Sequence, residues 1–422
     1  MGRGRYVLSS STPMHWIGLE KELPGTTQLC SPEYGPAFLE QHMDTIIGHD
    51  GVLAVFFDQE IEHLLHRIGV PICFPLSSIR DALEDKCEAV RMAMAAGVRL
   101  LPTKLAKVNG YDHLRHLADH AGIGPKIIVQ IPQGNSGKGT FLIRNEADYK
   151  THARLIESAK ECRLTQEIIH PQSLCIETVM TDAGTVIGMP ALDLIGIPEL
   201  TPNPNGWCGN VIGNGAIAPR IVREIREASL KIAAVVQRRH PGYFGYSGDD
   251  YLLCPASDHP MYQEKNARCT GMMPLSNVAA FELGLPPLIA QHIAQYEGEG
   301  ARLDVEDLNR RWSDPQDVGL TTCLILKQLD HLPASLRSFP QKGLYSLDGG
   351  GLRQLRDSIA VRDVMDHPGF GLWVPETTGH QIQCQDVLGR LLVRDHLTDG
   401  NRLNPRGKAW IQAFREAMIY GS

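Results

Sequence analysis

Tyr262-Gln263-Glu264-Lys265-Asn266-Ala267-Arg268 follows closely on Gly248-Asp249-Asp250-Tyr251-Leu252-Leu253, and the pair decides the fold. Read as adjacent β-strands, whose side chains alternate with period two, they put Asp250, Glu264, Asn266 and Arg268 on one face. Ionised groups avoid strand interiors unless something balances their charge. Three oxygen ligands beside a guanidinium suit Mg²⁺ and phosphate oxygens, because Mg²⁺ takes hard oxygen ligands shared with substrate phosphates. Ion pairing of the acids with Arg268 and a nearby lysine is the plainer alternative. Asp250 rather than Asp249 is taken as the ligand, a choice that rests on strand phase alone.

Upstream, residues 126–131 and 140–144 read as strands joined by the glycine-rich turn 132–139. In Gly134-Asn135-Ser136-Gly137-Lys138-Gly139 the glycines let backbone N–H groups approach phosphate oxygens, and Lys138 adds charge. Gly139 follows Lys138 where a Walker A loop has Ser or Thr, and a strand follows where a dinucleotide fingerprint needs a helix. A hairpin of this kind can fold as a flap over phosphates; a plain surface turn explains it equally well. Gln166-Glu167-Ile168-Ile169 ends a strand at the corner His170-Pro171, where a hinge can offer backbone groups to a purine edge. An ordinary strand end with a solvated Glu167 is the simpler account of that segment.

The remaining pattern is mixed α/β. Residues 51–57 and 70–74 read as buried strands around a helix over 59–68, a β-α-β unit. Residues 77–96 read as one helix with Ile79, Leu83, Val90 and Met94 on its apolar stripe and Gly97 at its end. Strands are expected at 174–180 and 186–194, around the turn Thr181-Asp182-Ala183-Gly184. An amphipathic helix is expected over 220–239, with Ile221, Ile225, Leu230, Ala233 and Val236 inward. Beyond residue 300 the pattern weakens to strands at 320–326 and 389–393 and a helix at 405–420.

Composition narrows the classes. The chain has 422 residues, 43% hydrophobic and 21% charged, with room for two or three domains. A net charge of −7 and no basic run give no support to a nucleic-acid partner. No stretch approaches the roughly 18 apolar residues of a membrane span. The start has no apolar run of the signal-peptide type, and Tyr6 breaks the myristoylation pattern. The 10 cysteines form no C-x-x-C pair and read as reduced thiols of a cytoplasmic protein.

Taken in order, these segments resemble the ATP-grasp superfamily over about residues 50–285. Glu84-Asp85-Lys86 with Gly97 to Thr103 is similar to the "DK…AGVP.P" entry of biotin-carboxylase-like members. The flap, the hinge and the two acidic strands follow in the superfamily's order. Gln130 stands where many members carry lysine; that substitution, together with the flap sequence, resembles the peptide-ligase branch with a pre-ATP-grasp domain, typified by the pheganomycin ligase.

The resemblance implies an α+β ATP-grasp fold with three parts: a pre-ATP-grasp domain over 1–97, a lid subdomain over 98–170 and a C-terminal subdomain with a substrate-side extension over 171–422. It implies ATP and Mg²⁺, with Asp250, Glu264 and Asn266 on the metal. Lys86, Gln130, Ser136, Gly137, Gly139, Gln166, Glu167 and Ile169 would hold the nucleotide, and Arg268 and Lys138 would serve the reaction. The implied activity joins a small-molecule carboxylate and an amine through an acyl phosphate, on an amino acid or peptide-like molecule in natural-product (antibiotic) biosynthesis. Lactam closure, aminoacyl transfer to a carrier thiol, and a kinase that stops at phosphoryl transfer are the alternatives. A homodimer is left open, and substrate choice is expected from Gly206-Trp207-Cys208-Gly209-Asn210, Arg220 or Arg223 and the C-terminal region.

Overall fold

The computed structural model describes residues 51–421 apart from 54–58, 135–138, 256, 314, 331–333, 350, 358–359 and 376–380, and without the side chains of 315 and 381. In chain order the first strands are β1 (Thr103–Ala106), β2 (Ile127–Gln130), β3 (Thr140–Ile143) and β4 (Cys162–Gln166). There follow β5 (Gln172–Thr181), β6 (Gly184–Ile187), β7 (Ala191–Ile195), β8 (Trp207–Ile212), β9 (Gly245–Leu253) and β10 (Pro260–Asn266). The rest are β11 (Thr321–Lys327), β12 (Ala334–Ser338), β13 (Gly343–Asp348), β14 (Gly351–Arg356), β15 (Gly371–Pro375), β16 (Gln381–Ile382), β17 (Val387–Val393) and β18 (Ile419–Gly421).

They form three sheets. The 4-stranded sheet has the order β1-β4-β2-β3. An 11-stranded sheet runs β10-β9-β5-β7-β8-β11-β17-β15-β13-β14, with β6 paired to β5. A small sheet, β16-β12-β18, completes the C-terminal part. The long helix Pro219–Arg239 lays Ile221, Ile225, Ile232 and Val236 on one face of the large sheet. Helices Met273–Glu282 and Leu288–Tyr296 contribute to the core on the other face. At the C-terminal end Trp373 stacks on Phe414 of the helix Pro405–Glu416, at 4.4 Å between ring centroids.

Several expected elements are divided. The helix expected over 77–96 is two, Ser77–Leu83 and Lys86–Ala96, because the Asp85 side chain accepts from the backbone N–H groups of Cys87 and Glu88 and starts a new helix. Met94, expected on the stripe, is exposed although Val90 in the same helix is buried. Leu230 is likewise exposed, and Ile232 takes the inward place. The strand expected over 186–194 splits into β6 and β7 around Gly188-Met189-Pro190, where proline has no N–H to donate to a ladder. Of the expected β-α-β unit, the helix Gln59–Arg67 and a parallel bridge between Val52 and Ile72 are present among the described residues. No helix among the described residues is long and apolar enough to cross a membrane.

Candidate active site

The two acidic strands are neighbours. β9 and β10 pair antiparallel, with Glu264 opposite Asp250 and Asn266 opposite Gly248, so these side chains share a face. Asn266 Nδ2 donates to Asp250 Oδ2 at 2.8 Å. Asp249 lies opposite Lys265 on the reverse face, where the two form a buried ion pair of 3.1 Å. Strand phase thus separates the adjacent acids: Asp250 shares the strand face of Glu264 and Asn266, behind the cavity lining rather than in it, and Asp249 is neutralised on the reverse face.

Glu264, Asn266 and Arg268 line a cavity of about 300 Å³ together with Glu84, Lys86, Gln130, Gly134 and Thr140. Lys86 Nζ lies 2.6 Å from Glu264 Oε2, and Arg268 Nη1 pairs with Glu84. Asp85 aims Lys86 here, because its cap starts the Lys86–Ala96 helix at that residue. On β2, Gln130 Nε2 donates to Thr140 Oγ1 at 3.1 Å across the hairpin. The hairpin closes through Ile131 N–H to Gly139 O at 3.0 Å. Gly139 has φ +87°, and a Cβ there would stand 2.8 Å from Ile131 Cγ1, so the turn needs glycine.

Electrostatically the acidic face asks for a cation. Desolvation, then the nearby Glu264 and Asp193 carboxylates, push Asp250 well above the usual carboxylate range. Asp193 is itself raised by burial, while Ser173 Oγ donates to it at 2.7 Å and Asn210 Nδ2 at 2.6 Å. Among the described residues no group of three or more His, Cys, Asp or Glu is gathered tightly enough to hold a metal unaided. Two carboxylates and one amide remain, an oxygen set that fits Mg²⁺, which is commonly held by one or two carboxylates plus phosphate oxygens.

The other wall is a set of groups that motif reading missed or left undecoded: Asn203, Asn205, Gly206, Trp207, Lys327 and Gln385. Lys327 Nζ donates to the Trp207 carbonyl at 2.8 Å, and burial pulls its amine below the usual lysine range. The Trp207 ring packs so closely on Gly271 that a Cβ at 271 would lie 2.0 Å from it. Arg390 lies over the same ring, 6.0 Å from its centroid, and donates to the Gly271 carbonyl at 3.3 Å. Lys327 ends the apolar strand β11, so its only signal in the sequence is a lysine closing a hydrophobic run.

Other expected residues sit elsewhere. Gln166 ends β4, Glu167 pairs with Lys126 at 3.3 Å, and Ile169 is 61% exposed; none of the three lines the cavity. Ser136, Gly137 and Lys138 lie outside the described residues. Arg220, a candidate for substrate choice, is engaged by Glu224. Asn210 is buried against Asp193.

No family model matches the chain. The methylcrotonoyl-CoA carboxylase α subunit of Arabidopsis thaliana is 25% identical over 207 residues, 46% of this chain and 26% of that protein, so the chain spans about a quarter of that relative's length. The biotin carboxylase domain dimer of the Hydrogenobacter thermophilus 2-oxoglutarate carboxylase, solved with MgADP and bicarbonate, superposes with a TM-score of 0.61 at 13% identity, covering 91% of this chain and 77% of that one. The carboxyaminoimidazole ribonucleotide synthase of Aspergillus clavatus, solved with ATP, superposes with a TM-score of 0.56 at 12% identity, covering 90% and 85%. Likeness at that identity establishes architecture, and the architecture common to these enzymes is ATP-grasp: this chain has the ATP-grasp fold.

Proposed function

We propose that this protein is an ATP- and Mg²⁺-dependent ligase that joins a carboxylate to an amine. The observation that carries the reading is one cavity wall on which Glu264, Asn266, Arg268 and Lys86 converge. In this reading residues 98–170 form the lid and 171–422 the body. Asp250, Glu264 and Asn266 would hold Mg²⁺, which would supply charge neutralisation to the phosphates of a bound nucleotide. Lys86 holds phosphate oxygens once it leaves Glu264.

Phosphoryl transfer depends on positioning and on neutralising spread negative charge. The substrate carboxylate takes the γ-phosphoryl group and ADP leaves; the amine then attacks the acyl carbon, phosphate departs and one amine proton is lost. Arg268 faces the transferring group and then the oxyanion of the tetrahedral intermediate. Lys327 and Trp207 form the wall against which the carboxylate substrate rests. An amino acid or small peptide-like molecule, as in natural-product biosynthesis, is the substrate class proposed.

A second reading takes bicarbonate as the carboxylate, giving a carbamate. The bicarbonate in the Hydrogenobacter thermophilus domain favours it. One experiment separates these: ADP release measured over carboxylates and amines, singly and paired, with and without bicarbonate, and products read by mass. Amine-dependent ADP with loss of water supports ligation, and bicarbonate dependence supports the second reading. A stable phosphorylated product without amine makes the protein a kinase. ATP binding with no ADP across the panel ends both ligase readings.

A further inference from the structure

Strict alternation along β10 would put Tyr262, Glu264 and Asn266 on one face. Tyr262 is instead fully buried in the core beneath the helix Pro219–Arg239, while Glu264 lines the cavity. Gln263 reconciles them as the extra residue of a β-bulge: Tyr262 pairs with Tyr251 and Glu264 with Asp250, two steps on β10 against one on β9.

A bulge disrupts the ladder locally, and buried carbonyls need donors. Arg163 meets that need from a different sheet. From β4, its Nη1 donates to the Gln263 carbonyl at 2.8 Å and its Nη2 to Gln263 Oε1 at 3.2 Å. Arg163 is 1% exposed, and its Nε has no hydrogen-bond partner. Burying a guanidinium among strands is a poor way to gain stability alone. Two placements give it another use. Its cross-strand partner on β2 is Gln130, which lines the cavity, and Glu264 is the carboxylate that chiefly offsets the burial of its charge.

We propose that Arg163 is a positioning residue: by bracing the Gln263 bulge it turns the Glu264 carboxylate onto the cavity face. Because it reaches there from the four-stranded sheet, it ties that carboxylate's orientation to the placement of the sheet. The inference stands on the metal-free geometry and deepens the magnesium reading, which only its second measurement needs.

The first measurement is metal-free. Lys86 rests against Glu264, so its acylation rate, read by mass spectrometry against the exposed Lys231, reports where that carboxylate points. Arg163→Lys keeps the charge and loses the planar fork. It is expected to raise Lys86 reactivity several-fold, as Glu264→Gln does, and the double variant is expected to add nothing. Unchanged Lys86 reactivity in Arg163→Lys, or effects that multiply in the double variant, overturn the proposal. If Arg163→Lys fails to fold by circular dichroism, Gln263→Leu is read instead; it removes one acceptor, raises the rate less, and no change at all overturns the proposal.

The second measurement is Mn²⁺ affinity by electron paramagnetic resonance with a non-hydrolysable ATP analogue. Groups that orient metal ligands typically account for 10–100-fold in metal affinity, so Arg163→Lys should lose about tenfold. Wild-type affinity in that variant counts against Arg163. Absence of Mn²⁺ binding in the unsubstituted protein overturns the magnesium reading alone, and the labelling result still decides Arg163.

Discussion

Lys86 Nζ stands 2.6 Å from Glu264 Oε2, so the cation that should meet phosphate is held by the carboxylate that should meet metal. On the proposed reading the ordering follows from charge: a divalent cation at Glu264 would displace Lys86 and free it for phosphate oxygens. Glu264→Gln should therefore raise the Mg²⁺ concentration needed for half-maximal ADP release by about ten- to a hundredfold. An unchanged Mg²⁺ titration would make Glu264 a structural partner of Lys86 and nothing more.

Arg268 pairs with Glu84 and faces the same cavity. Arg268→Ala should lower kcat by on the order of 10²–10³, the usual effect of removing one preorganised donor from developing charge. Near-normal turnover in that variant would take Arg268 out of the reaction.

Asp250 has its carboxyl raised by desolvation and by Glu264. A raised acid binds more protons folded than unfolded, so metal-free stability falls as pH climbs from the ordinary carboxylate range through the raised value. Asp250→Asn should remove that loss, with a gain in metal-free Tm on the order of 2 °C at pH 7 for each kcal/mol relieved. The same variant should bind Mn²⁺ more weakly. A lower metal-free Tm would contradict the crowding argument.

His292 carries the opposite sign. Tyr246 N–H donates to its Nδ1 at 3.0 Å and its Nε2 lies 2.6 Å from the Cys73 carbonyl, an arrangement for the neutral ring. Burial lowers its pKa from 6.5 to about 4. The stability held by neutral His292 is complete above the unfolded value and is lost as pH falls from 6.5 toward about 4. Urea midpoints measured across that range should drop for the unsubstituted protein and drop less for His292→Gln.

Gly271 leaves room for the Trp207 ring, which a Cβ would strike at 2.0 Å. Gly271→Ala should displace that ring, raising the KM for the carboxylate substrate while Mn²⁺ affinity stays unchanged, and shift tryptophan fluorescence. A change confined to metal affinity would place Trp207 away from the substrate.

The shared face of Glu264 and Asn266 was legible because both follow the bulge, where alternation holds. The motif singled out Lys86, which lines the same cavity beside Glu264. Arg163 was not legible, since its meaning depends on lying opposite Gln130 in one ladder and against Gln263 in another sheet, and no local pattern encodes either. Lys327 was hidden for a related reason: β11 joins β8 from more than a hundred residues away, so only the folded sheet brings it beside Trp207. The helix expected over 77–96 failed on one side chain, since apolar periodicity does not register the cap of Asp85.

β11 is hydrogen-bonded to β8, and through it the strands of the last hundred residues continue the sheet that bears Asp250 and Glu264. A chain truncated near residue 300 would leave β8 with an unsatisfied edge and strip the cavity of Lys327 and Gln385. The two ends of the sheet should accordingly melt in one cooperative transition, and the C-terminal third is not a detachable module.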